Sequence, residues 1–524
     1  MDDTSPATSG KLRSRKFRNT QKAWKRLRAQ FKPIEDQGDM KYQKVLGSGG
    51  FGLVQKWRTN LRGRRNTVAI KTIIQPDQDN CIRSLKREIY WMRRFQGCEH
   101  LVQLADLPES AMTLLSPQIN NDDCDGVPIV VMEDLGSGSL ALLLSRMADM
   151  RALNRGIPED HMSIKSIEYI PNRALWIIRA CIGMAYPPED PDSRKGKIIR
   201  ETMKDVPKGT QPSRIIHSDI DIYNSFIGYP SSHKPDDNEH VWHPIVKVAD
   251  YGCMIRWDYH WSDDTKKKSL WGKPAYKAPE QFDPHGSFGT HTNVYQIGNI
   301  MHDLITLRKY SYNQRVVAKR KLSGNGGLEF WTFGCRLLEG SDYSIDKDWK
   351  NVDIELRELV AGCMAEKPIF RPALEPLEEL CALRIREMDK AVMDAKQGRN
   401  PSTPVYVPGI PSDDKTFRRR VPMGQVEPDH ILEKFYIEYF IEPWGESDKY
   451  AAHWAGRTPS PTRTETTHLL DSPGLPRPAP PLHGSPQPGP PPPGPPPPTP
   501  PRPLPPRPLP RPPKSKTRSK GSHS

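Results

Sequence analysis

Asp219 and Asn224 stand five residues apart in His217-Ser218-Asp219-Ile220-Asp221-Ile222-Tyr223-Asn224, and a further carboxylate lies downstream in Asp250-Tyr251-Gly252. An Asp and an Asn at this spacing, with a second Asp before a glycine, can hold metal ions and a hydroxyl nucleophile around a phosphate group. The fragment taken alone also occurs by chance, so its meaning depends on its surroundings.

Upstream lies Gly47-Ser48-Gly49-Gly50-Phe51-Gly52-Leu53-Val54, a complete G-x-G-x-x-G-x-V. Glycines let the backbone turn tightly and bring its amides close to phosphate oxygens. The same run could open a dinucleotide-binding unit, but a helix would then come directly after it. Instead the chain continues to Val68-Ala69-Ile70-Lys71, inside the apolar, β-branched stretch Thr67–Ile74 that reads as a strand. Glu88, in a helical segment over Ser84–Phe95, is the natural carboxylate to hold Lys71, and Glu99 is the competing candidate. Another strand-like run, Pro128–Met132, leads through Glu133-Asp134-Leu135 into Gly136-Ser137-Gly138. Beyond Asp250 come Lys273-Pro274-Ala275-Tyr276-Lys277-Ala278-Pro279-Glu280 and, much later, Arg371.

These elements, in this order, resemble the protein kinase superfamily over about Lys41–Ala382; Leu175-Trp176 and Ala185-Tyr186-Pro187-Pro188, with Asp221, resemble kinase-like proteins of filamentous fungi. The resemblance implies ATP and Mg2+ as cofactors and protein substrates as phosphate acceptors. It implies a nucleotide site of Gly47, Ser48, Gly49, Gly50, Phe51, Gly52, Val54, Ala69, Lys71 and Glu88. Glu133 and Leu135 would offer backbone groups to adenine, with Met132 behind them. Asp219 would orient the acceptor hydroxyl and take its proton, while Asn224 and Asp250 would hold metal ions. Glu280 and Arg371 would form a structural pair.

The chain departs from the family pattern at the catalytic loop. Ser218 replaces the arginine that pairs with an activation-loop phosphate, so switching by phosphorylation there should be weak or absent, while Thr265 and Ser269 remain candidate phosphorylation sites without that pocket. Asp221 replaces a lysine that neutralises the γ-phosphate, and Lys273 replaces a threonine. The two positions are neighbours in the family, so the expected arrangement is a relocated charge, with Lys273 bonded to Asp221 and acting as a catalytic cation. Asn293 stands for an Asp that accepts bonds from the loop backbone, and Tyr251 for a Phe. Three readings compete: an active Ser/Thr protein kinase, a pseudokinase scaffold that binds nucleotide and partners, and a small-molecule phosphotransferase of the aminoglycoside-kinase type. Joint retention of Lys71, Asp219, Asn224 and Asp250 speaks against the second, and Ala278-Pro279-Glu280 with Arg371 against the third.

The elements that must position these groups are legible in the patterning. Early strands and later helices, such as Asn172–Met184 and Val294–Leu307, predict an α+β protein in two lobes, a small β-rich one and a larger helical one. Pro108–Gly126 and Pro187–Pro212 read as polar surface loops. Four segments are expected: a basic stretch 1–40, a kinase domain 41–385, an extension 386–450 with an amphipathic helix near Val426–Trp444 that packs on the domain, and a tail 451–524. Within the first, Trp24, Leu27 and Phe31 fall at helical spacing. That helix could be a nuclear address, a contact to lipid or nucleic acid, or a helix docked on the domain.

Of 55 prolines, 26 lie between Pro459 and Pro513, so the tail should be disordered or polyproline II. Arg502–Pro508 and Arg507–Pro513 fit R-x-x-P-x-x-P, a ligand for Src-homology-3 domains. Basic ends account for most of the net charge of +14, so a nucleic-acid partner is not expected. The cysteines show no C-x-x-C pair and no run is long enough to span a membrane, which suits the cytosol or nucleus.

Overall fold

Alternation along the strands creates the small lobe. In the computed structural model, β1 (Met40–Ser48), β2 (Gly52–Leu61), β3 (Arg64–Ile73) and β4 (Ile129–Glu133) form an antiparallel sheet in that order. Successive side chains point to opposite faces. Val68 and Ile70 of β3 join Trp57, Ile129 and Val131 in one cluster, while Ala69, Ile73, Val130 and Met132 belong to the main core. The structure describes residues 6–49, 52–61, 63–155, 167–182, 214–228, 245–258, 260–262, 265, 272–283, 286, 288–308, 318–321, 329–338, 352–406, 421 and 424–441. Gly50, Phe51, Ser269, the insertion at Pro187–Pro212 and the proline-rich tail with both R-x-x-P-x-x-P segments lie outside the described residues.

The outer face of the sheet is covered by α1 (Pro6–Asp36), a helix far longer than the spacing of Trp24, Leu27 and Phe31 suggested. Leu27, Phe31 and Ile34 are buried against Trp57, Val68 and Ile70, and the Phe31 and Trp57 rings lie 5.1 Å apart. The segment Pro108–Gly126 is not a bare surface loop. It contains α3 (Glu109–Leu115), whose Ala111 and Leu115 are buried in the same cluster as Ile119. Its polar composition hid this because only one side of one short helix is buried.

Between these, α2 (Asp79–Arg94) buries Cys81, Leu85, Glu88, Ile89 and Met92 at helical spacing, one stripe of an otherwise polar helix. In the large lobe, α4 (Leu140–Arg155) and α5 (Asn172–Ile182) precede short paired strands: β5 (Ile215–Ile216), β6 (Ser225–Ile227), β7 (Val246–Val248) and β8 (Ile255–Arg256). β5 pairs with β8 and β6 with β7, which brings the catalytic-loop sequence and the Asp250 segment together. Helix α6 (Thr290–Thr306) is buried along most of its length, and α7 (Ile354–Cys363) and α8 (Leu374–Lys396) pack around it and α5.

The amphipathic stretch near Val426 forms α9 (Asp429–Tyr436), continued by a π-helical turn to Ile441. Phe435, Tyr436 and Phe440 close over Leu143, Ala174 and Ile178. Glu427 accepts from the Asn172 amide at 2.7 Å, and Arg173 bonds Asp389 at 2.6 Å and Asp429 at 2.7 Å. No helix among the described residues is long and apolar enough to cross a membrane.

If α1 belongs to the small-lobe core, Phe31→Ala should cost about 3–5 kcal/mol of stability. Urea unfolding of the full chain measures this, and a loss under about 1 kcal/mol would show that the helix is peripheral.

Candidate active site

Register places the groups expected to face a nucleotide. Val54 pairs with Lys71 across β2–β3, and Ala69 pairs with Met132 across β3–β4. Gly47 lies at the end of β1, and the Gly49 amide donates to the Gly52 carbonyl at 2.8 Å, which closes the glycine turn between β1 and β2. A Cβ on Gly52 would stand 3.1 Å from the Lys71 side chain, so the lysine passes directly beneath the turn. Past β4, Asp134 is buried and accepts from Lys56 at 2.7 Å and Thr67 at 2.8 Å. Asp134 escapes sequence reasoning, yet it holds the backbone between Glu133 and Leu135. The Glu133 side chain turns back to the Gln103 amide at 2.9 Å and to Lys247 at 2.8 Å. Leu135 and Val54 are partly buried against the core that contains Ala69 and Met132.

The Lys71 ammonium bonds both oxygens of Glu88, at 2.9 and 2.7 Å, and Asp250 Oδ1 at 3.0 Å. Glu88 rather than Glu99 therefore meets Lys71. Burial alone would lower the Lys71 pKa, but Asp250 and Glu88 outweigh it and hold the ammonium charged. Burial drives the Glu88 carboxyl upward, with Lys71 opposing. Burial also acts to raise Asp250, but Lys71 outweighs it and keeps this carboxyl below its ordinary value.

Helix α2 is fixed in this position by more than the lysine. Ser84 Oγ donates to the Gly252 carbonyl at 3.2 Å and the Trp91 indole to the Met254 carbonyl at 3.3 Å. A Cβ at 252 would stand 2.5 Å from Ser84 Oγ and 3.3 Å from the Ser84 carbonyl, so a side chain there would displace Ser84 from this bond. Tyr251 does more than pack. Its hydroxyl donates to the Val248 carbonyl at 2.6 Å and accepts from the Val102 amide at 3.0 Å.

The catalytic-loop sequence is held in an uncommon backbone geometry. Ser218 has φ 68° and Asp250 φ 65°, both in the left-handed region. The Ser218 carbonyl accepts from Gln296 of α6 at 2.9 Å. Gly272, at φ 111°, lies so close that a Cβ there would stand 2.1 Å from that carbonyl. Asn293 reads the loop twice: its Oδ1 accepts from the His217 amide and its Nδ2 donates to the Ile215 carbonyl, each at 3.1 Å. An Asp could do only the first.

Asp219 Oδ1 accepts from the Lys273 amide at 3.0 Å and Oδ2 from Asn224 Nδ2 at 2.9 Å. The Lys273 ammonium bonds Asp221 Oδ2 and stands 3.8 Å from Asp219 Oδ2. Asp221 is fully buried, and its Oδ1 also accepts from the amides of Tyr223 at 2.7 Å and Asn224 at 3.0 Å. Burial raises the Asp219 carboxyl to about 6, with Lys273 opposing and Asp221 and Asp250 adding to the rise. Burial would lower the Lys273 ammonium, but Asp221 and Asp219 hold it above its ordinary value.

The residues fit a divalent cation that arrives with a phosphate ligand. Asp250 stays ionised, and Asn224 spends its amide nitrogen on Asp219, so its oxygen is the atom it would offer to a cation. Among the described residues no group of three or more His, Cys, Asp or Glu could hold a metal ion by itself. A site with few protein ligands completed by substrate phosphates is the usual manner of Mg2+. Below, Glu280 takes two bonds from Arg371, at 2.7 and 2.8 Å, and one from Thr292 of α6 at 2.9 Å.

A two-lobed fold with a strand lysine, a helix glutamate and paired aspartates around one cleft is the arrangement of the protein kinase fold. The profile of the protein tyrosine and serine/threonine kinase family matches residues 40–380, and the chain belongs to that family. It is also similar to the mouse serine/threonine-protein kinase Nek9, 24% identical over 180 residues. That match covers 34% of this chain and about 15% of the mouse protein's length.

Burial pushes the His217 imidazole from 6.5 down to about 4, while its Nε2 lies 3.2 Å from the Ala249 carbonyl. The unfolded chain therefore binds a proton at this residue below pH 6.5 that the folded chain takes only near pH 4. The stability from neutral His217 is present above pH 6.5 and is lost as pH falls toward 4. Between pH 7 and pH 5 the wild type should lose about 2 kcal/mol more unfolding free energy than His217→Phe. Urea titrations at the two pH values give the comparison, and equal losses would refute this account.

Proposed function

We propose that this chain is an ATP-dependent protein kinase that transfers the γ-phosphate to Ser or Thr of protein substrates. The observation that carries the reading is the joint engagement of Lys71 with Glu88 and Asp250, beside Asp219 joined to Asn224 and Lys273. Adenine would lie between Val54, Ala69 and Leu135, meeting the backbone of Glu133 and Leu135. The amides of Gly47, Ser48, Gly49, Gly50, Phe51 and Gly52 would cover the phosphates, and Lys71 would orient them. Asn224 and Asp250 would hold Mg2+, which when bound neutralises charge on the phosphoryl group.

Asp219 orients the acceptor hydroxyl and takes its proton. The hydroxyl oxygen forms the new bond to the γ-phosphorus while the bond to the bridging oxygen breaks and ADP leaves. Lys273 supplies the cation that the loop lacks at Asp221, poised near the developing charge. The acceptor class is that of the mouse serine/threonine-protein kinase, and the proposal includes cytosolic or nuclear residence and binding of Src-homology-3 domains through the tail. A pseudokinase scaffold is the second reading, favoured by the buried anion at Asp221.

Labelled ATP with generic protein substrates, Mg2+ or Mn2+ and phosphoamino-acid analysis separates the two. Asp219→Asn should lower transfer by about 10²–10⁴-fold. Lys273→Thr should lower kcat by about a hundredfold, and adding Asp221→Lys should recover part of it by placing a cation back on the loop. Normal turnover in Lys273→Thr would end the relocated-charge account, and nucleotide binding without any transfer would favour the scaffold.

A further inference from the structure

Helix α1 precedes the family match, which begins at residue 40, yet it touches the phosphate site's supports from behind. The Arg26 Nη2 donates to the Ile73 carbonyl at 2.5 Å. Ile73 is the last residue of β3, two beyond Lys71, and it pairs across the sheet with Gly52 at the end of the glycine turn. One turn earlier on the helix, Ala23 is buried with Leu53 and Ile74, and Trp24 packs against the same cluster. The Trp24 indole donates to the Tyr42 hydroxyl at 3.1 Å, which ties the helix to β1 as well. A single face of α1 thus grips the strand after the glycine turn, the end of the lysine strand, and the start of the run into α2 and Glu88.

We propose that Arg26 is a positioning residue for the nucleotide: by holding Ile73 it sets the height of Lys71 beneath the glycine turn, so that α1 tunes nucleotide affinity from outside the matched domain. This rests on the proposed nucleotide site but not on phosphate transfer, since a scaffold that binds nucleotide would be tuned in the same way. The bond is local and directional. Loss of the donor frees the β3 end while leaving Leu27, Phe31 and Ile34 in their apolar seat.

The test uses the full chain and a fluorescent ATP analogue with Mg2+, measured by equilibrium titration well below the melting temperature. Arg26→Met keeps an unbranched apolar stem and removes the guanidinium donors. It should weaken nucleotide binding about fivefold, the low end of coupling between linked sites, and raise KM for ATP but not for peptide. Arg26→Lys should recover part of the affinity. Lys25→Met, which removes an exposed charge from the same helix, should bind as the wild type. A merely structural role would lower the melting temperature and leave the affinity unchanged. Wild-type affinity in a folded Arg26→Met overturns the inference, and a wild type that binds no nucleotide overturns the site itself.

Discussion

Helix α6 is buried, and four of its polar side chains are satisfied by the segments that form the candidate site. That constraint organises the large lobe. Thr292 bonds Glu280, Asn293 bonds the backbone on either side of Ile216, Gln296 bonds the Ser218 carbonyl, and Asp303 accepts from the Tyr276 hydroxyl at 2.6 Å. The loop that carries Asp219 and the segment from Lys273 to Glu280 are thereby fixed to one rigid rod. Unmaking any of these bonds would strand a buried polar group, which is costlier than the bond itself is stabilising. The left-handed turn at Ser218 persists because its carbonyl is held on one side by Gln296 and closed on the other by Gly272.

Charge balance in the cleft obeys a similar logic. Glu88, Asp219, Asp221 and Asp250 face the ammonium groups of Lys71 and Lys273. The excess of negative charge suits a divalent cation, and the shared ammonium groups keep each buried carboxylate from standing alone. Asp221 is anchored apart from its bond to Lys273: its second oxygen accepts two backbone amides and shapes the turn into Asn224.

Much of this was legible because chemistry imposes spacing. The glycine turn, the strand lysine, the carboxylate-to-amide interval and the late Glu–Arg pair each leave a short, ordered trace. The two-lobed α+β class could be read from strands early and helices late. Other features left no such trace. Asp134 looks like any polar residue after a strand, and the Tyr251 hydroxyl gains its role only from the approach of Val102 and Val248. The covering of the sheet by α1 and α3 depends on which face remains exposed after pairing, and local periodicity does not report that. For Asn293 the type of the residue was readable, but its double contact needed the geometry of β5 and α6.

The staple between α5 and the segment before α9 joins residues far apart in the chain, with Asn172 and Glu427 separated by 255 positions. During synthesis α5 leaves the ribosome long before its cover. At about 5–20 residues per second, its apolar side waits on the order of tens of seconds for Phe435, Tyr436 and Phe440 to arrive. Arg173 waits in the same way for Asp389 and Asp429. The nascent large lobe keeps that apolar side uncovered throughout the interval, and the contact is completed only once Phe440 has emerged.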